Sequence, residues 1–172
     1  MVWDDRVSIL YAGGSIYQDP IKYTGFISAV GITPEKHLTL INSVTMPEQP
    51  LSLALGEGSL FAGAQGYQGG LYHIRVNAAG ELSTPRLVNA STPERPLQPT
   101  SMQVIGERLY LSYRTIEAYD ITNPDQPVQT WTKQAGMVVR GFSVAGEQIH
   151  IFGWAPTDPY TPEFGTIVVP EP

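Results

Sequence analysis

The chain has 172 residues, 42% of them hydrophobic, enough to bury a real core as one domain. Ten basic against sixteen acidic residues give a formal net charge of -6, and no basic run occurs, which disfavours nucleic acid and anionic membrane surfaces as partners. Cysteine is absent, which excludes disulfides and thiolate chemistry, and no stretch approaches the length of a transmembrane helix.

The amino terminus, Met1-Val2-Trp3-Asp4-Asp5-Arg6, lacks the positive region and apolar core of a signal peptide. If Met1 is the natural start, the expected location is the cytoplasm. Seventeen glycines and fifteen prolines then punctuate the chain every few residues, predicting short strands and turns with almost no helix. The first strong strand pattern is 7–13, followed by a long loop from Gly13 to Tyr23 and a strand at 25–30. A Thr33-Pro34-Glu35 turn leads to a fourth strand at 37–41.

The cycle then restarts. Leu51, Leu53 and Leu55 alternate with Ser52 and Ala54 and reach 59–63 through a tight Glu57-Gly58 turn. A loop through Tyr67, a strand at 70–76, a turn at Asn77-Ala78-Ala79-Gly80 and a weaker strand at 85–88 complete it. The third cycle runs from Met102, Val104 and Ile105 through Gly106-Glu107 to 108–112. A short turn at Tyr113-Arg114, a strand at 115–121, an Asn123-Pro124-Asp125 turn and a strand at 128–131 follow. The last cycle passes from Phe142, Val144 and Ala145 through Gly146-Glu147 to 148–153, then a proline-rich loop and a strand at 165–169.

Strands near positions 10, 60, 109 and 151 therefore repeat the same pattern. Their spacing of roughly 40 to 50 residues is that of repeat proteins built of four-stranded blades. The fold class expected is all-β: a partial β-propeller of about 3.5 four-stranded antiparallel blades, forming a single propeller-like domain over 1–172. The chain is expected to enter its first blade at the second strand and to end near the third strand of the last. Such an arc leaves long apolar edges open and is incomplete without a second copy or another subunit.

Gly25-Phe26-Ile27-Ser28-Ala29-Val30, Pro50-Leu51-Ser52-Leu53-Ala54-Leu55, Gly58-Ser59-Leu60-Phe61-Ala62-Gly63 and Gly70-Leu71-Tyr72-His73-Ile74-Arg75-Val76-Asn77 resemble blades of the seven-bladed lactonase-type propellers. Members of that family open sugar lactones or cyclise muconate, and the chain has about half their usual length. The segment from Ile116 to Pro127 also resembles the short repeat of bacterial surface propellers. The resemblance spans 7–152 and implies blades and a ligand-bearing face; no local motif fixes a catalytic His, Arg or Glu.

The loops expected on that face each carry an aromatic residue. Tyr17, Tyr67, Trp154 and Tyr160 offer rigid contact area, the last two on a loop stiffened by Pro156, Pro159 and Pro162. Arg95 and Arg114 are the natural contacts for a carboxylate or phosphate. The bland reading is that the aromatics cap blades and the arginines form interblade ion pairs. Glu48 and Glu94 sit in similar turns and are expected to hold them.

His37, His73 and His150 are widely spaced, so no metal and no cofactor is expected. His73 and Arg75 share one face of their strand by period two. Asp120 with Thr122 and Asn123 reads as a turn network. The leading expectation is a non-catalytic propeller module for protein–protein interaction or assembly, as a homo-oligomer or with another subunit. A lactonase-like hydrolase of a small sugar or carboxylated lactone is the first alternative. A carbohydrate-binding module using the aromatic loops is the second.

Overall fold

The three two-residue turns expected from the sequence each close a hairpin, with Gly58, Gly106 and Gly146 at φ of 62°, 56° and 60°. Glycine supplies that left-handed conformation without a Cβ penalty, so these turns fix the register of the strands they join. The computed structural model describes residues 1–19, 22–66, 69–92, 97–158 and 161–169, with the backbone alone at 17–19, 22 and 23. Among the described residues there are fifteen strands and no helix, so no helix is long and apolar enough to cross a membrane.

The strands form four antiparallel sheets. Blade one comprises β1 (Val2–Asp4), β2 (Ile9–Asp19), β3 (Lys22–Ile32) and β4 (Leu38–Met46). Blade two has β5 (Gln49–Gly56), β6 (Ser59–Gln65), β7 (Gly70–Arg75) and β8 (Arg86–Ala90), and blade three has β9 (Ser101–Ile105), β10 (Arg108–Ser112), β11 (Thr115–Asp120) and β12 (Val128–Gln134). Blade four has three strands: β13 (Val138–Ala145), β14 (Gln148–Trp154) and β15 (Pro162–Val168). The strand order within each sheet follows the chain, and the first strands β1, β5, β9 and β13 lie side by side. This is the all-β partial propeller that the periodicity predicts.

Two expectations need correction. The chain does not enter at a second strand, because Val2–Asp4 pairs with Ile9–Tyr11 as a first strand. Its three residues are too short to show a period, and a longer turn through Ser8 (φ 55°) replaces the two-residue hairpin. Nor is 13–23 a long loop. It is strand on both sides, with Gly13 and Gly14 paired to Ile27 and Phe26. Those glycines make room rather than turns: a Cβ at Gly13 would meet Pro50, and one at Gly14 would meet the Phe26 ring.

Each junction buries one apolar cluster. Blades one and two enclose Ile9, Tyr11, Ile27, Leu60, Tyr72 and Ile74. Blades two and three enclose Phe61, Leu71, Leu109, Leu111 and Tyr119, and blades three and four Ile116, Val139, Ile149 and Ile151. Polar sutures cross the same junctions. Asn42 exchanges hydrogen bonds with the Leu82 backbone (2.9 and 3.0 Å), Ser52 donates to the Pro99 carbonyl (2.6 Å), and Thr100 donates to the Val139 carbonyl (3.0 Å).

Leu60 is fully buried in the first junction, so Leu60→Ala should destabilise by about 2–5 kcal/mol in urea denaturation. Gly80 (φ 81°) abuts Ile9 across that junction, where a Cβ would overlap the Ile9 side chain. Gly80→Ala should therefore cost at least about 1–3 kcal/mol, and a smaller loss would mean the blades separate easily there.

Candidate functional site

The strands alternate in direction, so the first-to-second and third-to-fourth turns fall at one end of every sheet, here the lower end. The remaining connections fall at the upper end. Among the described residues, a cluster of ionisable groups joined through Asp125 lies at the lower end, where blade two meets blade three.

Its centre is His73, 2% exposed, on the face of β7 turned to blade three. The imidazole lies against the Phe61 ring, with centroids 5.3 Å apart. Its Nδ1 stands 2.9 Å from Asp125 Oδ1 and its Nε2 3.0 Å from Ser59 Oγ. Asp125 comes from the Asn123-Pro124-Asp125 turn, fixed where its backbone N–H donates to Asn123 Oδ1 (3.2 Å). The second oxygen of Asp125 accepts from Arg75, two residues beyond His73 on the same strand. Arg86, the cross-strand partner of His73, brings its guanidinium to 3.6 Å from Asp125.

Two guanidinium groups thus face one carboxylate, while Glu57 and Glu81 line the same cleft. The hydrogen bonds from Arg75 and then His73 hold the Asp125 carboxyl down at about 2. With Asp125 ionised, the imidazole proton belongs on Nδ1. That leaves the Nε2 lone pair to accept the Ser59 hydroxyl proton.

The cluster opens on a cleft of about 840 Å³ lined by Glu57, Ser59, His73, Arg75, Asn77 and Asp125 among others. Ser59 and Glu57 also border a neighbouring cleft of about 590 Å³ with Asp4, Arg6 and Glu107. Arg6 grips Asp4 through two side-chain hydrogen bonds (3.0 and 2.9 Å), which lowers the Asp4 pKa. A third cleft, toward blade one, is lined by buried Tyr11, whose hydroxyl has no hydrogen-bond partner among the described residues.

The arrangement has two chemical capacities. It latches the turn of blade three to the strand face of blade two. It also places a hydroxyl, an imidazole and a carboxylate in the order of a nucleophile, its base and the group that orients the base. Arg86, mostly exposed, leaves donors for an anionic ligand group.

Of the residues singled out in the sequence, Arg114, Trp154 and the backbone of Tyr17 lie elsewhere. Tyr17 is in β2 opposite Tyr23, with its side chain outside the described residues, and Tyr67, Arg95 and Tyr160 lie wholly outside them. Arg114 sits in the upper-end turn between β10 and β11, its guanidinium carbon 5.7 Å from the Tyr113 ring centroid. Trp154 ends β14, paired with Val138 and Pro162. Tyr17, Arg114 and Trp154 all fall at the upper end of different blades, opposite the cluster. Asp120 does form the turn network expected, accepting from Thr122 N–H and hydroxyl (2.8 Å each).

Sequence reasoning paired His73 with Arg75 but missed Ser59, Arg86 and Asp125. Ser59 follows a hairpin turn, and Asp125 is 52 residues from His73. Strand pairing within blade two sets Ser59 and Arg86 beside His73 and Arg75, and the stacking of blade on blade adds Asp125.

No family model matches the chain, and no curated protein matches it. Solved structures do. A putative 6-phosphogluconolactonase from Bacteroides uniformis aligns with a TM-score of 0.62 at 16% identity, over 97% of this chain and 55% of that one. A second, from Bacteroides fragilis, gives 0.59 at 14% identity over the same shares. The fold is that of a lactonase-type propeller. A gluconolactonase from Xanthomonas campestris aligns over 78% of this chain and 43% of that one, with a TM-score of 0.55 at 16% identity. The chain thus spans about half the length of these relatives in structure.

The Asp125 carboxyl is depressed in the folded state, so its stabilisation is present above the ordinary carboxylate range of about 4 and is lost as pH falls toward 2. Asp125→Asn should lower stability by a constant amount from pH 7 to 5, and the gap to the parent should close between about pH 4 and 2. Urea midpoints at each pH measure it; a gap that persists in acid would remove Asp125 from the balance.

Proposed function

We propose that the chain belongs to a lactone-opening propeller hydrolase acting on a small sugar or carboxylated lactone, with its chemistry at the lower-end cleft. The supporting observation is the Ser59–His73–Asp125 line of hydrogen bonds beside Arg75 and Arg86. The likeness in fold to structures described as lactonases points the same way.

In this reading Ser59 Oγ adds to the lactone carbonyl while His73 Nε2 takes its proton. The Asp125 carboxylate balances the imidazolium. Collapse breaks the ring C–O bond, and the departing oxygen takes the proton back from His73. Water, deprotonated by the same imidazole, then cleaves the serine ester and releases the hydroxy acid. Arg86 receives a carboxylate or phosphate on the substrate. A second reading, a non-catalytic assembly module, is favoured by the exposed aromatic side chains Trp3, Phe152 and Phe164.

The test is proton release in a pH-stat with glucono-δ-lactone and its 6-phosphate, corrected for spontaneous opening. Ser59→Ala and His73→Gln should each lower the enzymic rate by about 10²–10⁴-fold, and Arg86→Gln should raise KM chiefly for the phosphorylated lactone. No rate above the spontaneous one across the panel would reject the hydrolase and leave the assembly module.

A further inference from the structure

One buried polar group takes no part in the cluster between blades two and three. Tyr11 is fully buried in the junction of blades one and two, and its hydroxyl has no hydrogen-bond partner among the described residues. Burial, and after it the Asp4 charge, push the hydroxyl pKa up, so near neutral pH it is an uncharged donor. A buried donor without an acceptor costs stability, and hydroxyls in such places are normally answered.

The repeat shows why this one is not. Ile9 and Ser59 open the second strands of blades one and two, so Tyr11 stands where Phe61 stands one blade later. Phe61 pairs across its sheet with His73, which Asp125 answers from the third-to-fourth turn of the next blade. Tyr11 pairs instead with Ala29, so the polar group facing the corresponding turn, Asn77-Ala78-Ala79-Gly80, is its own hydroxyl. It reaches that turn: a Cβ on Gly80 would lie 3.3 Å from its oxygen. The turn, however, uses its one polar side chain on itself. Asn77 Oδ1 accepts from the Ala79 and Glu81 N–H groups (3.0 and 2.9 Å), and its Nδ2 donates to Glu81 (2.7 Å).

The Tyr11 side chain lines the cleft of about 340 Å³ that Asp4 and Arg6 also border. That volume is at the small end of ligand cavities, roughly 300–1,000 Å³. Arg6 holds Asp4 through its backbone N–H and Nε on Oδ1 and through Nη2 on Oδ2, so Nη1 takes no part in the pair. Oδ2, with one hydrogen bond from Arg6, keeps a lone pair to offer. Two donors and one acceptor thus stand among apolar walls formed by Val7, Leu55 and Val76.

Asp4 and Arg6 balance in charge, so an anion meets no net attraction there. An apolar molecule would leave Tyr11 without an acceptor. A hydroxyl group both donates and accepts, and the C–H faces of a polyol suit the apolar walls.

We propose that this cleft binds a neutral sugar or cyclic polyol, whose hydroxyls accept from Tyr11 and Arg6 and donate to Asp4. It shares Gly58, Val76 and Asn77 with the cleft of His73 but none of that cleft's ionisable groups. The site therefore stands whether or not the chain opens lactones.

The test is NMR of the isotope-labelled 172-residue chain as D-glucose, myo-inositol or sodium glucuronate is added. Titration to about 100 mM lies well above the millimolar Kd of a weak single-ring site. Saturable amide shifts at Ala78, Ala79 and Gly80 are expected with at least one neutral compound, and at least tenfold weaker binding of glucuronate. Tyr11→Phe should weaken binding at least tenfold, while its urea midpoint without sugar equals or exceeds the parent's. Ala78→Phe, on an exposed turn position, should block the cleft and abolish binding without unfolding the chain.

No saturable shift with either neutral compound would overturn the site, as would tighter binding of glucuronate or undiminished binding by Tyr11→Phe. A lower urea midpoint for Tyr11→Phe would also overturn it, because the hydroxyl would then have its acceptor within the protein.

Discussion

A four-stranded sheet with apolar side chains on both faces is not stable alone, and that constraint organises the whole molecule. Leu60, Ala62 and Ile74 on one face of blade two need blade one, while Phe61 and Leu71 on the other need blade three. Burial is therefore a property of junctions rather than of blades. Several polar groups at the junctions are paired across them, as Asn42 pairs with Leu82 and His73 with Asp125. An unpaired group there would carry the full cost of its lost hydration.

The lower-end cluster follows from the same constraint. His73 is held on both ring nitrogens and against Phe61, so neither its tautomer nor its tilt is free. A site assembled from two adjacent blades inherits the rigidity of their packing, which is what a preorganised relay requires. It also makes the site dependent on the junction. Loosening blade three from blade two would remove the Asp125 carboxylate and leave the His73 ring without its orienting partner.

Architecture was legible in the sequence because hairpin turns and alternating strands are local signals. Glu57-Gly58, Gly106-Glu107 and Gly146-Glu147 announce register in two residues each, and the repeat spacing announces blades. Val2–Asp4 was not legible because three residues carry no period. The strands through Gly13-Gly14 were hidden because glycine reads as a turn unless the ring that occupies its missing Cβ is known. The site was legible only in part. His73 and Arg75 lie on one strand and share a face by simple counting, whereas Ser59 and Arg86 join them through strand register within blade two and Asp125 through blade stacking. Reasoning from loops led to the upper rim, where Tyr17, Arg114 and Trp154 lie on different blades.

The outermost strands have one more property. In each complete blade the pairing of third and fourth strands slips by one residue, between Ala29 and Val30, Leu71 and Tyr72, and Ala118 and Tyr119. The residues inserted on the fourth strand are Ile41, Val88 and Thr130. Those that follow them, Asn42, Asn89 and Trp131, reach across to the next blade or pack in its core. A bulge bends and twists its strand, and a bent strand is a poor template for another chain's backbone. The rim of the arc is thereby made non-adhesive at three successive positions, while its inward neighbours gain an anchor. The β14–β15 pairing, by contrast, runs from Gln148–Val168 to Trp154–Pro162 without a slip.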